Sequence, residues 1–312
     1  MTISAEAAGV MVVNPASDHG KTARRWPEIA RAAAARGLDL DVRATEAAGH
    51  ASELTRAALR EGARLIVAVG GDGTVSEVAN GFFDGDAAVA PGAELAVIPR
   101  GSGCDFVKTF GIPKQVDRAV AVAAGSAVRT VDLGRVRFTD WDGAPAARIF
   151  CNVASAGLTG VAADRVNRSG KPLGATVAFA WGTVVTFAGY RNSRFRVRID
   201  ERELDQVCNN VLVANCRFYA SGMKIMPMAD PGDGLLDVLV WGDVGKADLA
   251  RNLHKLYRGT HIGHPKADIS RARRIAVEPD VPLPIEADGE TPGVTPVAFE
   301  VVPAALRLRV PS

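Results

Sequence analysis

Three glycines and an aspartate separate an apolar run from a helix-like stretch in the segment VGGDGTVSEVANG, residues 69–81. Gly70, Gly71 and Gly73 let backbone N–H groups come close to a ligand. A helix that begins near Thr74 would direct the positive end of its dipole into the same space. This junction suits a phosphate chain, although a lone G-G-x-G sequence is equally compatible with a tight strand-to-helix turn.

A second glycine turn favours the ligand site. PRGSGCDF, residues 99–106, repeats the arrangement one strand later, and two such turns on successive parallel strands open toward the same sheet edge. The loop VNPASDHGK, 13–21, adds Asn14 and Lys21 to that edge. Asp72 alone would repel phosphate oxygens. It fits if Mg²⁺ lies between them, or if it handles a proton during phosphoryl transfer.

The segments around these turns alternate between strand and helix. Apolar runs predict strands at 9–15, 38–45, 64–70 and 94–99. Helices are predicted at 21–36, 51–61, 74–80, 105–110 and 117–124. This order predicts an α/β domain with a parallel sheet that is covered by helices on both faces.

After about residue 131, strand-like segments dominate and turn residues separate most of them. The predicted strands lie at 135–138, 147–155, 194–200, 209–215, 235–241, 273–278, 282–287, 297–302 and 305–310. Helices are predicted at 159–168, 172–190 and 246–257. We therefore predict an α/β domain over 1–131 and a β-rich sandwich domain over 132–312, with the strand 305–310 able to pack back on the first domain.

Composition excludes several classes of protein. The chain has 312 residues, of which 47% are apolar and 23% charged, and its net charge is +2. It is thus globular, large enough for two domains, and not a nucleic-acid binder by bulk charge. Its four cysteines lack C-x-x-C spacing, which predicts neither a zinc site nor a disulfide framework. The N-terminus lacks a secretory signal pattern, so we expect a cytoplasmic protein.

One uncharged segment is as long as a membrane span. Residues 172–190 carry no charge, but glycines and threonines dilute them, so we expect a buried or membrane-facing helix rather than a span. Arg191, Arg194, Arg196 and Arg198 follow it. They could form a basic rim for anionic headgroups, or simply line the solvent face of the strand 194–200.

The ordered set of motifs resembles the diacylglycerol kinase catalytic-domain family, which includes bacterial lipid kinases, ceramide kinases and sphingosine kinases. GGDGTVSEVANG resembles the family's nucleotide motif, and PRGSGCDF resembles its second glycine turn. The likeness continues through TEAAGHA, FCNVASAGLTG, SGMKIMPMADPGDGLLDVLV and the closing DGE, TPV and ALRLRVP segments. The resemblance implies a first domain similar to NAD kinase and phosphofructokinase, followed by a β-sandwich.

The resemblance also implies site residues. Nucleotide contacts would fall on Asn14, Pro15, Thr45, Gly70, Gly71, Asp72, Gly73, Thr74, Val75, Ser76, Glu77, Gly101 and Ser102. A structural Mg²⁺ site of the bacterial members would fall on Asp230, Asp233 and the backbone of Leu235. Their proton acceptor would fall on Glu290, whereas the sphingosine kinases favour the residue that corresponds to Asp72.

Three residues depart from the family's motifs. Ser76 and Cys104 stand where asparagine is usual, and Ser102 replaces a threonine. A serine hydroxyl can still bond a phosphate, but a thiol replaces an amide poorly because it offers weaker hydrogen bonds. These changes bear on nucleotide geometry and leave Asp72, Asp233 and Glu290 intact.

The resemblance implies an ATP- and Mg²⁺-dependent kinase that phosphorylates a hydroxyl of diacylglycerol or a related lipid. Its partner would be a lipid at a membrane surface, reached by transient peripheral contact, and a homodimer is compatible with the chain. Alternatives are a kinase of a soluble substrate, since NAD kinases share the G-G-D-G turn, and a nucleotide- or lipid-binding regulator without turnover. Retention of all the acids argues against the regulator.

Overall fold

The computed structural model describes residues 9–168, 186 and 189–312. The chain divides into two compact units. The first unit comprises Met1–Leu133 with Pro303–Ser312, and the second comprises Gly134–Val302. The division thus follows Leu133, where the sequence predicted a boundary after residue 131, and the last residues of the chain belong to the first unit.

A parallel sheet forms the centre of the first unit. Its strands are β1 (Val10–Val13), β2 (Asp41–Ala44), β3 (Leu65–Gly70) and β6 (Glu94–Pro99), paired in the order β2-β1-β3-β6. Arg307 and Leu308 extend the sheet by pairing in parallel with Glu94 and Leu95. Every residue of β1 and β3 is buried, which is typical of a parallel strand that is covered on both faces.

Helices cover both faces of this sheet. They are α1 (Lys21–Ala34), α2 (His50–Arg60), α3 (Asp72–Gly81), α4 (Asp105–Thr109) and α5 (Val116–Ala124). Ile29 of α1 and Val120 of α5 share one apolar cluster with Val67 of β3. On the other face, α2 and α3 pack against each other and against β1 and β3. A short hairpin, β4 (Phe83–Asp84) and β5 (Ala87–Ala88), follows α3. The predicted α/β fold is confirmed.

Two sheets form the second unit. The first is antiparallel and contains β10 (Ser193–Ile199), β11 (Arg202–Cys208), β15 (Arg274–Pro279) and part of β17 (Gly293–Arg309), with β7 (Val128–Asp140) and β8 (Pro145–Phe150) as a further antiparallel pair. The second runs in the order β14-β13-β12-β9-β16, made of β9 (Val153–Gly157), β12 (Asn210–Ala214), β13 (Leu236–Trp241), β14 (Ala267–Ala272) and β16 (Ile285–Ala287). The described helices of this unit include α6 (Leu158–Arg168) and α7 (Lys246–Arg258).

Both sheets contribute to one apolar core, which makes this unit the predicted sandwich. Phe195 and Phe299 of the first sheet lie in the same cluster as Val211 and Val238 of the second. Side chains of β10 alternate between buried and exposed, as expected for a strand with one face on the core. The other face of the second sheet carries a separate cluster, against which Leu249 and Leu256 of α7 pack.

Several predicted elements differ from the structure. The predicted strand 147–155 is two strands, because Cys151 and Asn152 turn their N–H groups to the carboxylate of Asp288. The predicted strands 297–302 and 305–310 belong to the single strand β17. Strands β11 and β14 were not predicted. Charged residues in β11, which has an exposed face, hide its alternating pattern.

The uncharged segment 172–190 lies outside the described residues, apart from positions 186, 189 and 190. Among the helices that the structure describes, none combines the length and the apolar character that crossing a membrane requires.

Candidate active site

The two glycine turns of the first unit meet at the carboxyl ends of β3 and β6. The backbone N–H of Arg100 donates to the carbonyl of Gly70 at 2.6 Å. A Cβ atom added to Gly101 would lie 2.7 Å from the Cα of Gly71, which is closer than two such atoms approach in proteins. The predicted convergence of the two turns is therefore confirmed, and Gly101 is required by packing alone.

Gly73 differs from its neighbours. It lies in the first turn of α3, and a Cβ atom built on it would meet no atom of the described residues within 4 Å. Packing within the chain thus gives no reason for a glycine at this position. Helix α3 starts at Asp72, earlier than the predicted start at Thr74. The extended residue before it, Gly71, has no side chain that could cap the helix and so mark its start in the sequence. The first turn of α3 is therefore open at Gly73.

Asn14 connects the first loop to α3. Its Nδ2 donates to Oγ1 of Thr74 at 3.0 Å, while its Oδ1 accepts from the N–H of Ala16 at 3.0 Å. Pro15 follows directly, and the N–H of Thr45 donates to the carbonyl of Val13 at 2.8 Å. The predicted nucleotide residues therefore occur at the carboxyl ends of β1, β2, β3 and β6, which are adjacent in the sheet.

The carboxylate of Asp72 contacts the start of α4. Its Oδ1 accepts a hydrogen bond from the backbone N–H of Phe106 at 3.1 Å. A carboxylate at a helix N-terminus is favoured by the helix dipole. Asp72 therefore has a structural contact that links α3 to the second glycine turn, and its metal or proton role stays a prediction.

The remaining residues of the first motif are either buried within the unit or hydrogen-bonded there. Val75 and Ser76 are buried, and the hydroxyl of Ser76 has no hydrogen-bond partner among the described residues. Oε2 of Glu77 accepts from the N–H of Ala51 at 3.2 Å, near the start of α2. The side chain of Glu77 thus stabilises a helix N-terminus, and the predicted nucleotide contacts of these residues stay predictions.

The second glycine turn is held by residues that the sequence reasoning missed. Nζ of Lys114 donates to the carbonyls of Ser102 at 3.3 Å and Gly103 at 2.9 Å. Arg100, 7% exposed, forms an ion pair with Asp18 of the first loop at 3.2 Å. Lys114 lies outside both glycine motifs, whereas Arg100 is the basic residue of PRGSG itself.

Cys104 adopts a conformation that suits asparagine better. Its φ of 52° lies in the left-handed region, where asparagine is among the few tolerated side chains. Its thiol donates to the carbonyl of Gly101 at 3.2 Å. Burial, and then the charge of Asp72, raise the pKa of this thiol. Cys104 is therefore a protonated packing residue that replaces the amide of the family's motif.

In the second unit, Asp288 and Glu286 shape the turn that contains Glu290. The carboxylate of Asp288 accepts N–H bonds from Cys151 at 2.6 Å and from Asn152 at 2.8 Å. The backbones of Ala287 and Glu290 pair through bonds of 2.9 and 3.0 Å. This arrangement leaves the side chain of Glu290 exposed.

Glu286 is the buried acid behind that turn. Its carboxyl accepts hydrogen bonds from the hydroxyl of Ser155 at 2.9 Å and from the N–H of Gly289 at 2.5 Å. Burial, above all, raises its pKa to about 7, and the charge of Asp288 acts in the same direction. The sequence reasoning missed Glu286, whose one signal is an acid between two apolar residues of a short strand.

The predicted magnesium residues lie in the loop before β13. Oδ1 of Asp233 accepts from the N–H of Leu235 at 3.0 Å, and its Oδ2 pairs with Arg271. Asp237 nearby is buried, and its Oδ1 lies 3.7 Å from Nε of Arg271, an ion pair without a hydrogen bond. Burial and the charge of Asp230 raise the pKa of Asp237 to about 6.

These oxygen donors fit a hard cation such as Mg²⁺, which binds carboxylates and backbone carbonyls. The buried carboxylate of Asp237 and the charge of Asp230 place negative charge in this region. Arg271 neutralises part of this charge by pairing with both Asp233 and Asp237. No group of three or more acidic, histidine or cysteine side chains in the described parts of the chain is arranged as a metal site. An ion here would therefore depend on two aspartates, the backbone and water.

The arginines of β10 do not form a free basic rim. Arg194 pairs with Asp205 at 2.6 Å, Arg196 with Glu278 at 3.2 Å, and Arg198 with Glu203 at 2.9 Å. All three lie on the exposed face of the strand. The structure therefore favours the solvent-face interpretation of these residues.

Comparisons with known families cover nearly the whole chain. Residues 8–136 match the diacylglycerol kinase catalytic domain. Residues 152–310 match the YegS C-terminal NAD kinase beta sandwich-like domain. The chain is 28% identical over 305 residues to a diacylglycerol kinase of Mycobacterium tuberculosis (strain ATCC 25618 / H37Rv), with 96% of this chain and 94% of that protein covered.

Another relative and two solved structures are also similar to this chain. The chain is 28% identical over 296 residues to the "Probable lipid kinase YegS-like" of Pseudomonas aeruginosa PAO1, covering 94% of this chain and 93% of that protein. The fold resembles a diacylglycerol kinase from Bacillus anthracis str. Sterne with a TM-score of 0.73, 20% identity, and coverage of 99% and 98%. It resembles yeast NADH kinase with a TM-score of 0.57, 10% identity, and coverage of 98% and 84%.

Three observations indicate the same family: the glycine turns at one sheet edge, the β-sandwich with its acidic turn, and the two domain matches. The chain belongs to the diacylglycerol kinase catalytic-domain family, with a YegS-type C-terminal domain.

Proposed function

We propose that this protein is an ATP-dependent lipid kinase that transfers the γ-phosphoryl group to a hydroxyl of diacylglycerol or a related lipid. The observation that carries the proposal is the open first turn of α3 at Gly73, where packing does not require a glycine. A phosphate chain that approaches the N-terminal N–H groups of the helix would require one. Asn14 and Thr74, which bond to each other, lie at the same end of the helix.

The nucleotide would bind at the carboxyl ends of the first unit's parallel strands, as open α/β sheets generally bind ligands. Backbone N–H groups of the two glycine turns would contact phosphate oxygens, and Ser102 would offer its hydroxyl. Such contacts neutralise charge and hold the γ-phosphorus in line with the acceptor, which is most of what phosphoryl transfer requires.

Glu290 is the proposed proton acceptor. The acceptor oxygen attacks the γ-phosphorus, the bond to the β–γ bridging oxygen breaks, ADP leaves, and the hydroxyl proton moves to the Glu290 carboxylate. An exposed carboxylate on a turn fixed by Asp288 is available for this task. Asp72 is the competing base, although its bond to Phe106 N–H already occupies one oxygen.

Mg²⁺ would be held by Asp230, Asp233 and the backbone of Leu235. An ion there would neutralise the acids of the loop before β13 and so stabilise the second unit. The carboxylate of Asp233 would have to exchange its pairing with Arg271 for the cation.

The family supports a lipid acceptor, since two of the chain's relatives are named "Diacylglycerol kinase" and "Probable lipid kinase YegS-like". The protein would act in the cytoplasm in transient contact with a membrane, with no role for nucleic acid. The fold shared with yeast NADH kinase makes NAD the necessary competitor in any assay.

Radiolabelled ATP with Mg²⁺ and a panel of acceptors tests this function. The panel contains diacylglycerol, monoacylglycerol, ceramide, sphingosine, undecaprenol and NAD, each presented separately, with the lipids in detergent micelles. We expect label in diacylglycerol or another lipid of the panel. Label in NAD alone would replace the lipid assignment with a soluble substrate, and ATP binding without any labelled acceptor would support a regulator.

A further inference from the structure

The turn 287–290, which carries Glu290, is held by two acids. Its two central residues have positive φ, 50° at Asp288 and 90° at Gly289, and Asp-Gly is the pair that such a hairpin turn favours. The carboxylate of Asp288 accepts N–H groups at the junction of β8 and β9. Oε1 of Glu286 accepts the N–H of Gly289 at 2.5 Å. The turn is therefore fixed to a neighbouring strand by one acid and to its own strand β16 by the other.

Glu286 is also the first member of a chain of polar side chains. It lies opposite Ser155 in the pairing of β16 with β9, and its Oε2 is 2.9 Å from the Ser155 hydroxyl. That hydroxyl lies 2.7 Å from Oγ1 of Thr159 in the first turn of α6. Oγ1 of Thr159 lies 3.0 Å from Oδ1 of Asn210, which also accepts the N–H of Thr159 at 3.4 Å. The chain thus ends on an amide oxygen, an atom that can only accept hydrogen bonds.

The number of protons decides the direction of this chain, because Ser155 and Thr159 have one hydroxyl proton each. An ionised Glu286 accepts from Ser155, which then accepts from Thr159. No hydroxyl proton is left for the contact between Thr159 and Asn210. A protonated Glu286 donates to Ser155 instead, and Ser155 donates to Thr159. The proton of Thr159 then bonds Asn210, so the neutral acid makes all three contacts hydrogen bonds.

The surroundings of Glu286 also favour the neutral acid. Its complete burial raises its pKa to about 7, and the charge of Asp288 acts in the same direction. Hydrogen bonds from Gly289 and Tyr219 oppose this effect without cancelling it. Strand β9 has no titratable side chain. The charged residues of α6 lie beyond its first turn and are Asp164, Arg165 and Arg168.

We propose that Glu286 is a positioning residue for the proton acceptor Glu290, and that it acts as a neutral acid. In this form it connects Gly289 to Ser155 and α6 without repelling Asp288, whose negative charge binds the N–H groups between β8 and β9. Ionisation would put a second negative charge into the interior beside the turn. Glu290 would then lose its position against the acceptor hydroxyl. The inference rests on the proposed function, in which Glu290 takes the proton.

Two substitutions separate the neutral acid from an ionised one in the kinase assay with diacylglycerol. E286Q keeps a donor for Ser155 and an acceptor for Gly289 but has no proton to lose, whereas E286L keeps neither. E286L should lower kcat about tenfold with little change in the KM for ATP, because the base is misplaced. Wild-type kcat should fall as pH rises through about 7, when Glu286 ionises. E286Q should restore turnover relative to E286L and should not show this fall.

Trp141 reports on the turn without an assay of turnover. Its indole N–H donates at 2.8 Å to the carbonyl of Thr291, the residue after Glu290. The NMR signal of this indole, assigned with Trp141→Phe, should shift in the wild type as pH rises through about 7. It should be displaced in E286L and should not show the shift in E286Q. The infrared difference between wild type and E286Q should contain the band of a protonated carboxyl below that pH.

Two serine variants extend the test. Ser155→Ala interrupts the chain next to Glu286 and should lower kcat and displace the Trp141 signal, even if E286L does not fold. Ser270→Ala removes a half-buried hydroxyl of β14 that lies outside the chain, and it should match the wild type. Melting temperatures verify that the variants are folded.

The results distinguish this inference from the proposed function. Identical pH dependence of kcat and of the Trp141 signal in wild type and E286Q would overturn the inference. So would an active wild type without the band of a protonated carboxyl, or a Ser155→Ala variant that matches Ser270→Ala. A wild type that labels no acceptor, but shows the predicted Trp141 shift and carboxyl band, would contradict the kinase function and still support the neutral acid.

Discussion

Gly101 lies against Gly71 so closely that a methyl group on Gly101 would come within 2.7 Å of the neighbouring Cα. A Cβ atom on Gly73, two residues after Gly71, would meet no atom within 4 Å in the part of the chain that the structure describes. The glycines at this sheet edge therefore have two different reasons to be there. Gly101 permits the packing of one turn on another, and Gly73 leaves a helix start open to a ligand.

Alanine substitutions should separate these two roles. Gly101→Ala should cost about 1–3 kcal/mol of stability, because backbone atoms must shift to admit the methyl group. Gly73→Ala should keep or raise the melting temperature, since alanine is favoured over glycine in a helix by about 1 kcal/mol. It should nonetheless weaken ATP binding, as measured by calorimetry. Tight ATP binding by Gly73→Ala would remove the main support for a phosphate site.

The proton acceptor is tested by Glu290→Gln, with Asp72→Asn for comparison. Glu290→Gln should lower turnover by a factor of about 10²–10⁴, the usual contribution of general base catalysis, without changing ATP affinity or melting temperature. Asp72→Asn should also lower the melting temperature, because it weakens the contact with the start of α4. Near-normal turnover of Glu290→Gln would transfer the role to Asp72.

Glu286 predicts a pH dependence of stability. Its pKa is raised to about 7 in the folded protein, so the folded state holds an extra proton between about pH 4.5 and pH 7. The contribution of Glu286 to the free energy of unfolding is therefore fully present below about pH 4.5 and is lost as pH rises through about 7. Tyr219 bonds the carboxyl, and Asp288 adds a nearby negative charge.

The Glu286→Gln variant isolates that dependence. Its free energy of unfolding, measured in urea between pH 5 and pH 8, should fall less steeply with rising pH than that of the wild type. Glu278→Gln removes an exposed acid of the same unit and should follow the wild-type profile. Parallel profiles for all three proteins would show that Glu286 does not hold the proton.

Metal removal should affect the loop before β13. If Mg²⁺ binds the folded protein, a concentration about 100 times its dissociation constant stabilises by about 2.7 kcal/mol, and EDTA should lower the melting temperature by several degrees. Asp233→Ala should abolish this response. Arg271→Gln, which frees Asp233 from its ion pair, should retain or enlarge it. An EDTA response that persists in Asp233→Ala would place the ion elsewhere.

Local sequence patterns predicted most of the fold. Strand β6 has the predicted bounds, and the α/β order of the first unit is as predicted, because continuous apolar runs and helical periodicity are local signals. The start of α3 was placed too late because Gly71 carries no capping side chain to mark it. Strand β17 runs on through Pro303, a residue that usually ends a central strand.

The site was harder to predict than the fold. The glycine turns were evident from two short sequence segments. The role of Asp288, by contrast, depends on N–H groups more than 130 residues away in the chain. Glu286 lies in the same network through Ser155, which is equally distant. Lys114 supports the second glycine turn from another segment. Such contacts arise only when the strands assemble, so no local pattern reveals them.

The most direct test of the central proposal is the stoichiometry of the reaction with diacylglycerol in detergent micelles. Phosphatidic acid and ADP are quantified together after incubation of the wild-type protein with ATP and Mg²⁺. We predict one ADP for each phosphatidic acid formed, and loss of both products in Gly73→Ala. ADP release without phosphatidic acid, or undiminished synthesis of phosphatidic acid by Gly73→Ala, would contradict a phosphate site at the start of α3 that serves lipid phosphorylation.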